Sequence, residues 1–105
     1  MKIAGLPGDG IGKEVVPVAK NVLMTVLPEA EYVHVDVGNE RFLREGAAMT
    51  DVDLDTIKEC DCVLFGAITS PQKKSYPSVI LSLRKELDTY ANVRPFKSSA
   101  ISPAC

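Results

Sequence analysis

The chain breaks its first apolar run with Pro7-Gly8-Asp9-Gly10 and then enters a long segment of helical period. That junction constrains the fold more than any other feature. Residues 2–6 are short and apolar, as a strand is, and Pro-Gly-Asp-Gly is a strong breaker. From residue 12 to about 27, Val15, Val16, Val18, Ala19, Val22, Leu23, Val26 and Leu27 recur at helical spacing. Pro17 falls near the first turns, where proline does least damage, and Pro28 ends the helix. A strand that turns tightly into a helix is the opening of an α/β unit.

The rest of the chain continues the alternation. Tyr32-Val33-His34-Val35-Asp36-Val37 alternates apolar and polar residues and predicts a half-buried strand. Residues 39–44 predict a short helix stopped by Gly46. Thr50-x-x-Asp53 resembles a capping box, opening a helix that runs to about Cys60. Cys62-Val63-Leu64-Phe65-Gly66-Ala67 is continuously apolar, as a buried parallel strand is. Ser78 caps a predicted helix over residues 79 to about 87. Tyr90-Ala91-Asn92-Val93-Arg94 predicts one more strand, limited by Pro95. With 105 residues and 11.3 kDa there is room for one domain. The fold class is therefore α/β, a parallel-type sheet flanked by helices. Ligands in such folds bind beyond the carboxyl ends of the strands. Three loops qualify: residues 7–12, residues 68–77 and the neighbourhood of Arg94.

Composition narrows the function. Aromatic residues make up 6% with no Trp, which argues against an aromatic carbohydrate platform. No apolar run approaches the roughly 18 residues of a membrane span, and the start lacks the apolar core of a secretory signal. The net charge of −2 gives nucleic-acid binding no electrostatic support. Residues 1–69 carry six basic and twelve acidic groups, whereas residues 70–105 carry six basic and two acidic. The positive third suits an anionic small ligand. Cys60, Cys62 and Cys105 fit neither a disulfide framework nor a structural zinc site, and predict the reduced thiols of a cytoplasmic protein. His34 has no second histidine to share a metal with, and its place in an alternating run predicts a solvent-facing strand position.

Three constellations carry possible chemistry. Gly8-Asp9-Gly10-Ile11-Gly12 joins a strand to a helix, where glycines permit close backbone approach and a helix N-terminus favours anions. It lacks the third glycine of the G-x-G-x-x-G dinucleotide fingerprint and any Walker lysine. A plain tight turn accounts for it equally well. Arg84 and Arg94 offer planar forks matched to carboxylates from two different elements. The alternative is two surface arginines, with Arg84 paired to Asp88 one helical turn on. Thr69, Ser70, Lys73, Lys74 and Ser78 lie in a polar loop that suits phosphate, carboxylate or plain solvent.

Taken together, Gly8-Asp9-Gly10-Ile11-Gly12-Lys13-Glu14-Val15 resembles the N-terminal signature of the β-decarboxylating dehydrogenases. That family contains 3-isopropylmalate, isocitrate, homoisocitrate and tartrate dehydrogenases. Leu81-x-Leu83-Arg84-Lys85-Glu86-Leu87-Asp88-x-Tyr90-Ala91-Asn92-Val93-Arg94-Pro95 resembles its substrate-binding segment, with Leu64-Phe65-Gly66-Ala67 between the two. The resemblance implies that Arg84 and Arg94 bind carboxylates of a 2-hydroxy acid. It places Ser78, Ile80 and Leu81 where the family reads the substrate's variable group. It places Thr69 and Ser70 near the nicotinamide half of NAD or NADP, and Ile11 near its adenine. Ser78 matches the isocitrate type, Ile80 does not, and Pro77 departs from the isopropylmalate type. The mixture is similar to archaeal-type homoisocitrate or isopropylmalate enzymes and leaves the substrate open.

The implied reaction is oxidation of the alcohol by NAD(P)+ followed by loss of carbon dioxide, with Mg2+ or Mn2+ as Lewis acid. By the same resemblance, the metal ligands, the catalytic lysine and tyrosine, a third arginine and the main adenine loop lie beyond Cys105. Residues 1–105 are then the N-terminal portion of the first α/β domain of an enzyme of amino-acid biosynthesis. That enzyme is expected to be a cytoplasmic homodimer or higher homo-oligomer without nucleic-acid or membrane partners, and the isolated chain is expected to be inactive. A rival expectation is a stand-alone short α/β module that assembles with another chain. A third is an inert α/β domain with a decayed signature, against which both arginines count.

Overall fold

The computed structural model of the chain describes residues 1–69 and 76–101. In order, the elements are β1 (Lys2–Gly8), α1 (Gly12–Val26), β2 (Glu31–His34), α2 (Asn39–Glu45), α3 (Asp51–Lys58), β3 (Cys62–Ala67) and α4 (Val79–Glu86). The strands form one parallel sheet in the order β2-β1-β3. Ile3 pairs with Tyr32 on one side and Cys62 on the other, so β1 is central. It is the most buried strand, which accords with a run that carries no polar side chain after Lys2.

Strand alternation divides the side chains between two layers. Ala4, Leu6, Val33, Val35, Val63 and Phe65 join Leu54 and Ile57 of α3 and Val79 and Leu83 of α4 in one cluster. Leu6, Val37 and Ile57 are its largest fully enclosed side chains. The opposite face carries Gly5 and Gly66, and α1 packs there against β1 and β3. Of its apolar residues α1 buries only Val16, leaving Val15, Val18, Val22 and Val26 between 53% and 69% exposed. Helical spacing predicts both the helix and an apolar stripe, but not which part of the stripe is covered. Pro17 stays inside α1, in its second turn, at the cost of one backbone hydrogen bond.

Local signals set the element ends. Gly46 takes a left-handed φ of +80° and its N–H donates to Phe42 O, closing α2. Thr50 and Asp53 form a reciprocal capping box at the start of α3. The Thr50 N–H and hydroxyl each donate to Asp53 Oδ2 at 2.8 Å, and Asp53 N–H donates to Thr50 Oγ1. Arg41 of α2 adds an ion pair. Burial pulls the Asp53 carboxyl upward, but the Thr50 hydrogen bonds and Arg41 together hold it below its ordinary 3.8. A depressed carboxylate stabilises the fold above its unfolded pKa, and that contribution disappears as pH falls through the lower, folded value. Thr50→Ala is therefore expected to cost about 1 kcal/mol at neutral pH and to flatten the acid limb of stability. Urea titrations at pH 7 and below 4 check both effects.

The predicted strand at residues 90–94 does not form. Asp88, with φ +53°, and Thr89, whose N–H and hydroxyl both donate to Arg84 O, turn the chain out of α4. Tyr90 and Val93 are 99% and 83% exposed, and residues 91–99 carry no regular structure. Composition suits a strand here, but a ladder also needs a neighbouring edge, and this segment leaves α4 without pairing to either β2 or β3.

Candidate functional site at the carboxyl edge of the sheet

The chain leaves central β1 first to one side, for β2, and later to the other, for β3. Such a reversal opens a crevice beyond the carboxyl ends of the strands. Three strand-end loops meet there. Gly8, with φ +76°, lets the first approach the third so closely that a Cβ would sit 1.9 Å from Ala67 O. Asp9 N–H donates to that same oxygen at 2.7 Å. The Asp9 side chain turns inward and is 2% exposed. Its Oδ2 accepts from Asn39 N–H and Thr69 N–H, both at 2.8 Å, and its Oδ1 from Glu40 N–H at 2.7 Å.

Gly38 closes around this carboxylate. It has φ +121°, and a Cβ on it would lie 2.7 Å from Asp9 Oδ2. Gly38→Ala thus meets both backbone strain and a clash, and is expected to destabilise the chain by about 2–4 kcal/mol. A urea midpoint within error of the wild type would contradict this packing.

On α4 the sequence-derived residues separate by face. Val79 and Leu83 are buried in the core. Arg84 neighbours Ile80 at i,i+4 and Leu81 at i,i+3 on the helix surface. Ile80 is half-buried, while Leu81 and Arg84 are exposed. Ser78 caps the helix, its Oγ accepting from Leu81 N–H at 3.5 Å. The alternative pairing of Arg84 with Asp88 is not made, and Arg84 has no ion pair among the described residues. Arg94 lies on the exposed segment, its Nε donating to Asn92 Oδ1 at 3.1 Å. No contact joins the two arginines. Thr69 and Ile11 are exposed at the mouths of the third and first loops. Ser70, Lys73 and Lys74 lie outside the described residues, as does Cys105.

A model of isocitrate/isopropylmalate dehydrogenase matches residues 2–104. The chain belongs to this family. It is 43% identical over 104 residues to a homoisocitrate dehydrogenase of Methanocaldococcus jannaschii, covering 96% of this chain and 30% of that protein. An isocitrate/homoisocitrate dehydrogenase of Thermus thermophilus is 41% identical over 102 residues, covering 95% and 30%. Among solved structures, isocitrate dehydrogenase from Methylococcus capsulatus superposes with a TM-score of 0.85 at 33% identity, covering 97% of this chain and 32% of that one. A β-decarboxylating dehydrogenase from Thermococcus kodakarensis gives a TM-score of 0.76 at 41% identity, covering 85% and 27%. The chain thus spans about 30% of the length of the curated relatives it matches.

Within this member of the isocitrate/isopropylmalate dehydrogenase family, sequence reasoning passed over three residues of the loop junction. Asp9 stood in the glycine-rich signature with no role assigned to its side chain, and Asn39 stood only as a helix start. Tyr76 belonged to a polar loop, yet its hydroxyl donates to Asn39 Oδ1 at 3.0 Å and its ring lies 4.5 Å from that of Phe42. Burial, and then the charge of Asp9, push the Tyr76 phenol upward, which keeps it a donor. Elsewhere, an open groove of about 510 Å³ runs between α1 and β2, lined by Lys13, Lys20, Tyr32, His34 and Asp36. Pro7 and Gly8 at the end of β1 also line it. His34 is exposed there, as strand alternation predicts.

Proposed function

We propose that residues 1–105 are the N-terminal portion of the first α/β domain of a metal-dependent NAD(P)+ dehydrogenase. Its substrate is a 2-hydroxy di- or tricarboxylic acid: 3-isopropylmalate, homoisocitrate or isocitrate. The observation that carries this reading is identity above 40% spread over nearly the whole chain, with relatives whose names specify those acids. The site supports it, because Arg84 and Arg94 are both exposed without a carboxylate partner among the described residues. Two such forks hold carboxylates rigidly and in a fixed orientation.

In this reading Arg84 and Arg94 bind substrate carboxylates, and Ser78 hydrogen-bonds the substrate at the head of α4. Ile80 and Leu81, each a neighbour of Arg84 along the helix, read the variable group. Thr69 and Ser70 flank the nicotinamide of NAD or NADP, and Ile11 flanks the adenine. When bound, the nicotinamide accepts the hydride from the alcohol carbon. The described residues contain no group of three or more His, Cys, Asp or Glu side chains suited to a cation. Ligands for Mg2+ or Mn2+ would come from elsewhere in the longer protein. No helix among the described residues is long and apolar enough to cross a membrane. The uncovered valines of α1 and the exposed Tyr90 and Val93 accord with a domain that further chain completes.

The test is turnover. The full product of the reading frame is assayed for NAD(P)H formation with each of the three acids, NAD+ or NADP+, and Mg2+. Residues 1–105 alone are assayed beside it. The proposal expects turnover of at least one acid by the full product and none by residues 1–105. A folded full product that oxidises none of them, or turnover by the short chain, contradicts it.

A further inference from the structure

Burying a carboxylate is costly unless every oxygen is hydrogen-bonded. Asp9 meets that condition with backbone donors alone: Asn39 and Glu40 from the first turn of α2, and Thr69 from the loop after β3. A tight strand–helix turn has no need of this arrangement, since the Asp9 carbonyl already closes it by accepting from Gly12 N–H at 3.1 Å. The side chain instead ties together the start of α2 and the loop after β3, 30 and 60 residues away. Asn39 extends the tie, because its side-chain oxygen accepts the Tyr76 hydroxyl. Thr69 and Tyr76 are thereby fastened to one point, and Tyr76 stands two residues before Ser78. The Asp9 carboxylate is enclosed and fully engaged, so whatever it does for a ligand it does through these neighbours.

We propose that Asp9, Asn39 and Tyr76 form a positioning unit that presets Thr69 and Ser78 for the bound ligands. Asp9 fixes the Thr69 backbone, and Tyr76 fixes the approach to Ser78. None of the three touches substrate or cofactor. The proposal rests on the reading of Thr69 and Ser78 given above.

Two variants of the full product test it, each followed by steady-state kinetics, thermal melting and amide hydrogen exchange. Tyr76→Phe keeps the ring contact with Phe42 and loses only the hydroxyl. Its melting is expected to stay near that of the wild type while KM rises about tenfold and kcat changes little. Asp9→Asn leaves one acceptor where three N–H groups converge. It is expected to raise KM by about 100-fold and to speed exchange of the Thr69 amide by at least about tenfold. If Asp9→Asn does not fold, Tyr76→Phe alone decides the question. Wild-type KM in folded Tyr76→Phe, or unchanged Thr69 exchange in folded Asp9→Asn, overturns the positioning role. Lowered melting with KM unchanged assigns the unit to stability alone and likewise overturns it. A wild-type product without turnover overturns the functional reading itself, and the proposal with it, before any variant is compared.

Discussion

Replacing Arg94 by alanine in the proposed full-length dehydrogenase is expected to lower kcat/KM for the proposed hydroxy acid by about 10²- to 10³-fold. Arg84→Ala is expected to do the same. Removing a guanidinium strands a substrate carboxylate without its two-point partner, which costs more than a neutral hydrogen bond. Arg94→Lys keeps the charge and loses the planar fork, so it should recover only part of the loss. The double variant should fall short of the product of the single effects, because in the proposed reading both groups hold one substrate. Arg44 is the control. It is an exposed arginine paired with Asp36 and Glu45 on α2, and Arg44→Ala should leave kinetics unchanged while altering stability by about 1 kcal/mol or less. Equal kinetic losses in Arg44→Ala and Arg84→Ala would show that general charge, not a carboxylate clamp, is being measured.

The second large effect concerns the core. Leu6 is fully buried at the centre of β1, inside the cluster formed with α3 and α4. Leu6→Ala is expected to cost about 2–5 kcal/mol, from lost apolar transfer and an unfilled cavity. Domains of this size have only about 5–15 kcal/mol in total, so the variant should be largely unfolded at modest urea concentration. Val18→Ala on the exposed face of α1 should change the stability of residues 1–105 by about 0.5 kcal/mol or less. Val18 is 63% exposed there. Urea titration of both variants checks the contrast. Comparable losses would mean that the core does not lie between the sheet and α3–α4.

The sequence made these layers legible where short-range physics decides. The Thr50–Asp53 box, the Ser78 cap and the Gly46 stop each act within one turn of chain, and each is where its residue types predict. Alternation over residues 32–37 likewise put Val35 and Val37 inside and His34 outside, although the strand itself runs only Glu31–His34. The segment from Tyr90 to Arg94 misled because β composition describes the chain and not the edge it must pair with. The stripe on α1 was half legible for the same reason: period reveals a face, not its cover. On α4, spacing shows only that Ile80 and Leu81 each neighbour Arg84 along the helix; the roles proposed for them come from the resemblance to the family, not from spacing. Asp9 could not be read from the sequence. Its partners are backbone N–H groups 30 and 60 residues away, and backbone groups leave no mark in a sequence. The signal available was an acidic residue held between two glycines at a strand end, where a solvated side chain would need neither.

The central claim is that residues 1–105 form one part of a β-decarboxylating dehydrogenase. It is tested most directly by reading the coding DNA through and beyond the Cys105 codon. The account predicts an open frame that continues for about twice the length of this chain again, to match relatives of which it covers 30%, and that supplies the carboxylates for a divalent cation. A stop codon directly after Cys105 would contradict it.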